Sequence, residues 1–353
     1  MIFTWRLSIS ISRTRALALA LVVAVTSYGA MNRGAAAAAT VPWLQGDSLA
    51  AGIAKQLAPG DTLLVPQGRH RFTEDLIAGI TVRGDGPPGS VVILAYIPSA
   101  PMLNFAPGGG ITRVENITFD AEDNQEAQAV HFTQDTIAVS GNTFLRGIAV
   151  LAEECDGVVS QNTFTDCESA VRARESRLWI DRNEIVGSKN TAISMRGSPL
   201  RITRNRIVQN VNTGIVIVGK RFAPVIGGEP GMGNEIHGGF NSDLSNTSGK
   251  DVNAQYNYWG IQSTEEMNRN GYPANIDAII DKWDQSKDAG EVDYRNWLDA
   301  PPPEGKPVRH AGGGGSAATA PKTNMMAIGG GLVVILLIVA ARLRRSRRTA
   351  PAE

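Results

Sequence analysis

The sequence predicts an all-β fold, a parallel β-helix solenoid with a C-terminal cap, flanked by a signal peptide and a C-terminal transmembrane helix. Three observations predict it. The segments VENITF (114–119), VSGNTF (139–144), VSQNTF (159–164), IDRNEI (180–185) and ITRNRI (202–207) recur, followed by the looser GNEI (233–236) and YNYW (256–259). Within each period the apolar residues alternate by two. The two ends of the chain carry charge patterns unlike the middle.

The N-terminal element is a secretory signal over residues 1–39. Arg6, Arg13 and Arg15 precede an apolar run at 16–25, then come small residues and an alanine tract at 35–39, the order of a charged region, a short apolar core and a small-residue exit. The core is shorter than the ~20 residues a membrane span prefers, which favours cleavage over an uncleaved anchor. The cut falls after Gly29 or within the alanines.

The body, residues 41–300, is the repeat. Counted on the closing apolar residues Phe119, Phe144, Phe164, Ile185, Ile207, Ile236 and Trp259, the steps are 25, 20, 21, 22, 29 and 23 residues, as expected of stacked coils with loop insertions. With Asn142, Asn162, Asn183 and Asn205 as reference, the positions three before are Val139, Val159, Ile180 and Ile202. Those ten before are Phe132, Ala152, Ala173 and Met195, and those twelve before are Val130, Val150, Val171 and Ile193. Spacing by two gives two short half-buried strands per coil, and the closing Phe or Ile starts a third. Leucine-rich repeats share the period but not this spacing. The recurring Asn belongs at a corner, where stacked amides bond to one another and to the backbone between coils, and Asn-rich corners tolerate left-handed backbone. Ile276, Ile279, Ile280 and Trp283, at helical spacing, are expected to cover the open apolar end.

After the body, residues 301–324 are rich in Pro, Gly and Ala and read as a flexible linker. The uncharged apolar run at 325–341 is near the lower length limit for a spanning helix. Arg342, Arg344, Arg345, Arg347 and Arg348 in the tail 342–353 should stay cytoplasmic, leaving the body outside. The formal net charge of zero, 34 basic against 34 acidic residues, therefore sums three compartments: +4 over residues 1–39, −8 in the middle and +4 over 342–353. An acidic body with basic ends disfavours a nucleic-acid binder. Two cysteines in 353 residues exclude a disulfide scaffold. Cys155 falls at the first corner of its coil and Cys167 at the third, so no bond between them is expected.

GDTLLVPQGRHRF (60–72) and ITVRGDG (80–86) resemble the opening coils of the pectate-lyase-like right-handed β-helix superfamily. NAQYNYWG (253–260) with KWDQSKDAGEVDYRNWL (282–298) resembles the closing coil and cap of bacterial β-helix repeat proteins, the group that includes NosD-like periplasmic proteins. Gly329, Gly330 and Gly331 before the apolar run and arginine cluster also resemble GlyGly-type sorting signals. These resemblances imply a right-handed solenoid exported and held at the cytoplasmic membrane, periplasmic or at the cell surface. They imply either a carbohydrate-active protein or a non-enzymatic scaffold or maturation factor of the NosD-like kind. The signatures of the superfamily's enzymes are missing: the paired Asp and GHG of polygalacturonases, the DPHD of alginate epimerases, and the WiDH and RxPxxR of pectate lyases.

The register does yield a candidate site. Outward positions on the first strand of successive coils are His131 and Thr133, Leu151 and Glu153, Arg172 and Arg174, then Ser194 and Arg196. Stacking makes one patch of three arginines, a carboxylate and a histidine. Arginine forks match the carboxylates of an acidic polysaccharide or other cell-envelope component. His131, or Arg172 or Arg174, is then placed as base for β-elimination, with Glu153 and Arg196 binding substrate. The same residues also describe a solvated face on which Glu153 and Glu175 compensate the arginines, so binding, lyase activity and scaffolding stay open. Trp179, outward on the second strand beside Arg201, is a candidate sugar-stacking residue. Asp120, Glu122 and Asp123 offer hard oxygens for Ca2+, or an acidic solvated loop.

Overall fold

In the computed structural model, residues 40–42, 54–72, 75–98, 100–285 and 288–303 are described, all within the unit formed by residues 1–309. The predicted signal at 1–39 and span at 325–341 lie outside the described residues, and so does the linker beyond residue 303 with the tail 342–353. Among the described residues no helix is long and apolar enough to cross a membrane.

The chain winds as a right-handed parallel β-solenoid, the hand expected of parallel crossovers. Every coil contributes strands in the same order. Sheet one contains Gln128–Thr133, Ile148–Glu153, Ser169–Arg174 and Thr191–Arg196. Sheet two contains Thr136–Ser140, Asp156–Ser160 and Arg177–Asp181. Sheet three contains Thr143–Leu145, Thr163–Thr165 and Glu184–Val186. The sheets have nine, eleven and eight strands respectively, and about seven coils carry a strand in all three. Observed partners reproduce the predicted register. Val130, Val150, Val171 and Ile193 stack in sheet one, Val139, Val159, Ile180 and Ile202 in sheet two, and Phe119, Phe144, Phe164, Ile185, Ile207 and Ile236 in sheet three.

This stacking builds the core. Inward side chains meet their own counterparts one coil away, so like packs on like. The Phe119, Phe144 and Phe164 rings lie nearly parallel with centroids 5.1 and 4.9 Å apart, and Phe105 stacks on Phe132 at 4.9 Å. At the corner between sheets two and three the reference asparagines form a buried ladder. Asn162 Nδ2 donates to Asn183 Oδ1 and to the Val139 carbonyl, and the same pattern links Asn142, Asn162, Asn183, Asn205, Asn234 and Asn257.

Two details differ from expectation. The residue with left-handed backbone is the one before the ladder asparagine, as at Gly141, Gln161, Arg182 and Arg204; the asparagines themselves are held in place by their amide bonds. In VENITF the ladder position is Ile117, whose N–H donates to Asn142 Oδ1, while Asn116 turns to the carbonyls of Gly84 and Gly86.

The cap also needs correction. Residues 276–283 are not helical. Ile279–Ile280 is a short strand paired with Leu244 and Ser245 at the open edge of sheet one, and the Asp281 carboxylate takes the N–H groups of Trp283 and Val292, turning the chain. Ile276 and Ile279 are buried as expected, but Trp283 is half exposed. Helix α1, Gly260–Asn270, is the helical element here; it ends at Gly271, whose φ of 71° suits glycine. Both cysteines are free and buried, in different corners.

Candidate functional site

Sheet one pairs His131 with Leu151, Leu151 with Arg172, and Arg172 with Ser194. One column over, it pairs Thr133 with Glu153, Glu153 with Arg174, and Arg174 with Arg196. The predicted patch is thus one surface, created by the two-residue alternation of strands repeated at the coil spacing.

Its side chains are mutually engaged. Glu153 sits between an imidazole and a guanidinium, its Oε2 3.6 Å from His131 Nε2 and its Oε1 accepting from Arg174 Nη1 at 3.2 Å. Thr133 Oγ1 is 3.4 Å from His131 Nε2. Arg172 is steadied by residues the sequence reading missed: its Nε donates to Ser169 Oγ at 3.1 Å, and its Nη2 is 4.0 Å from Glu168 Oε1, one helical-type step back in the preceding corner. Arg196 makes no ion pair among the described residues and leaves its guanidinium toward solvent. Arg174 is also mostly solvent-facing.

Trp179 lies on the adjoining face, sheet two, stacked between Val158 and Arg201. Its indole N–H donates to Thr203 Oγ1 at 2.7 Å, and the guanidinium carbons of Arg201 and Arg204 lie 5.5 and 5.7 Å from the ring centroid. The ring is 37% exposed. Arg201 also pairs with Glu229 at 3.6 Å. Beneath, the buried Asp181 carboxylate takes both Nε and Nη2 of Arg204 at 2.8 Å and Thr203 Oγ1 at 2.7 Å. Trp179 and Arg201 therefore form a cation–π unit on a face separate from the arginine patch, rather than an extension of it.

The structure does not bring Asp120, Glu122 and Asp123 together as ligands. Asp120 accepts from Arg146 and from the Glu122 N–H, and Glu122 faces Arg69 and Arg71. Each of these two carboxylates is spent on a guanidinium. Among the described residues no group of three His, Cys, Asp or Glu side chains converges as a metal cluster.

Residues 102–275 match the family model of the periplasmic copper-binding protein NosD, so the NosD-like resemblance holds over these coils, NAQYNYWG (253–260) included, while the cap segment 282–298 lies beyond the match. No curated protein matches. Among solved structures, ORF18 of Geobacillus virus E2 aligns at 11% identity and TM-score 0.39, over 73% of this chain and 62% of that one. This chain thus spans less than two thirds of the viral protein. The A-module of the Azotobacter vinelandii mannuronan C-5 epimerase AlgE4 aligns at 15% identity and TM-score 0.37, over 61% of this chain and 72% of that one. The catalytic unit of a Streptomyces thermodiastaticus GH87 α-1,3-glucanase aligns at 12% identity and TM-score 0.34, over 76% and 70%.

The matched family's description implies copper, and the described residues do not fit a copper cage. His70 is buried against the Pro66 carbonyl, His131 is on sheet one beside Glu153, and His237 is on sheet three, bonded to Glu235 at 2.9 Å. Burial pushes the Cys155 thiol up to about 11 and the Cys167 thiol up to about 12, and a thiol so held is a poor ligand.

Proposed function

We propose that this NosD-like solenoid is an exported, membrane-tethered protein that binds an acidic glycan of the cell envelope on sheet one, with Arg172, Arg174 and Arg196 as the carboxylate-binding residues. The observation that carries the reading is the in-register Glu153, Arg174 and Arg196 column with His131 and Arg172 beside it. Successive guanidinium groups one coil apart, on a body that is otherwise acidic, offer a repeating row of charge to a repeating polyanion. The match to a periplasmic family supports export.

The approach of His131 to Glu153 supports a finer form of this reading. A carboxylate beside an imidazole favours a positioned base. In that form His131 takes the proton from the carbon next to the uronate carboxylate, and the electron pair left behind forms the new C=C bond. The adjacent C–O bond breaks, the leaving sugar oxygen takes a proton from water while His131 returns its own to solvent, and Arg174 offsets the carboxylate charge. The competing reading is a scaffold or maturation factor, favoured by the pairing of Glu153 and Glu168 with the arginines.

The test is a glycan array with the full-length protein, paired with an absorbance assay for unsaturated product. Glycan binding predicts retention of uronate polymers that disappears with Arg172→Ala plus Arg174→Ala. Unsaturated product that disappears with His131→Ala supports the lyase form. If no polyanion is retained, the scaffold reading stands.

A further inference from the structure

A groove of about 330 Å3 opens beside the arginine patch, at the corner between sheets one and two. Its floor begins one residue past the patch column: Glu154 follows Glu153 and Glu175 follows Arg174. Its wall is the loop 219–224, which brings Arg221 and Phe222 over the corners of three lower coils, against Glu154, Glu175 and Pro199. This corner has six residues, whereas the corners it overhangs at 154–155 and 175–176 have two each, so the chain here is long enough to form a wall.

The lining is chemically divided. Glu154 and Glu175 are stacked one coil apart and make no ion pair among the described residues; Glu154 accepts only a neutral amide, from Gln134 Nε2 at 2.9 Å. Arg177 is already loosely engaged by Asp156 at 3.9 Å. Phe222 is 38% exposed, and the Arg221 guanidinium carbon lies 5.0 Å from its ring centroid. A second uronate entering here meets three carboxylates, Glu154, Glu175 and Asp156, against the two guanidiniums of Arg177 and Arg221, a net negative lining that disfavours it. A neutral sugar ring meets acceptors that strengthen hydrogen bonds from its hydroxyls and an aromatic face for its apolar carbons.

We infer that this corner groove is a subsite for a neutral or N-acetylated sugar ring, so that the ligand is a mixed glycan with acidic units on the arginines and neutral units against Phe222. The inference rests on the glycan reading above and narrows its substrate class.

Titration calorimetry of the full-length protein with two octasaccharides tests it, one of galacturonate alone and one alternating glucuronate with N-acetylglucosamine. The alternating chain binds about 10-fold tighter. Phe222→Ala, on an exposed loop, lowers that affinity about 3- to 10-fold and leaves the galacturonate affinity unchanged. Glu154→Gln with Glu175→Gln raises the galacturonate affinity. Equal affinities that ignore Phe222→Ala but vanish with Arg172→Ala plus Arg174→Ala overturn the subsite and keep the glycan reading. Binding of neither chain overturns both.

Discussion

Asn183 Oδ1 accepts two hydrogen bonds from Asn162, from its backbone N–H and from its side-chain amide, both at 3.0 Å. Both residues are fully buried. Asn183→Ala therefore strands two donors of Asn162 and the Val159 carbonyl that Asn183 Nδ2 serves, at about 1–3 kcal/mol per stranded group. Urea unfolding should show a loss of at least ~3 kcal/mol. Asn183→Asp keeps the acceptors but buries a carboxylate, so its deficit grows as pH rises.

Two glycines separate backbone strain from crowding. Gly141 has φ 66° and open space where a Cβ would stand, whereas Gly157 has φ 141° and the Ile137 carbonyl oxygen 2.0 Å from that point. Gly141→Ala should cost about 1 kcal/mol, the backbone contribution alone. Gly157→Ala forces neighbouring strands of sheet two apart and should fail to give folded protein. Thermal melts monitored by circular dichroism distinguish them.

Asp181 is the anchor beneath Trp179. Removing it leaves the largely buried Arg204 guanidinium unpaired, so Asp181→Ala should cost about 3 kcal/mol or more. Thr203 also loses the acceptor that orients it toward the indole. Trp179 emission should shift even under conditions where the variant is still folded.

Asp243 lies on the last long strand of sheet one with the Gly239 N–H as its hydrogen-bond donor at 2.8 Å, and burial pushes its carboxyl up to about 7. The unfolded chain loses this proton near pH 4 while the folded chain keeps it, so folding stability declines from about pH 4 to about 7 and is flat beyond. Asp243→Asn should abolish that slope and raise stability at neutral pH by up to ~4 kcal/mol. Chemical denaturation at pH 4, 5.5 and 7.5 reads the difference.

The coil register was legible because it is written in local spacing. An inward side chain recurs at the coil period, and a parallel stack has no freedom to put it elsewhere, so the columns of Val150, Phe144 and Asn162 could be read directly. Side-chain partnership was not legible. Nothing in the spacing says that Glu153 would divide itself between His131 and Arg174, or that Arg146, Arg69 and Arg71 would occupy the carboxylates of Asp120 and Glu122. Those outcomes depend on rotamers and on coils 20 to 50 residues away. The step of 29 residues between Ile207 and Ile236 marked an insertion, but most of its extra length falls in the corner at 227–234, between sheets two and three, and only a small part in the groove loop. The cap misled because helical spacing at Ile276 and Ile279 is also compatible with a turn followed by a strand, and the free edge of sheet one selected the strand.

In the asparagine column each amide donates toward the following coil, from Asn142 through to Asn257. The column has polarity. Its side-chain dipoles add along the solenoid axis, and each bond strengthens the next, so the central members are held by neighbours on both sides while the terminal ones have a neighbour on one. The column should consequently loosen from its own two ends, with amide exchange faster at the Asn142 and Asn257 corners than between Asn183 and Asn205.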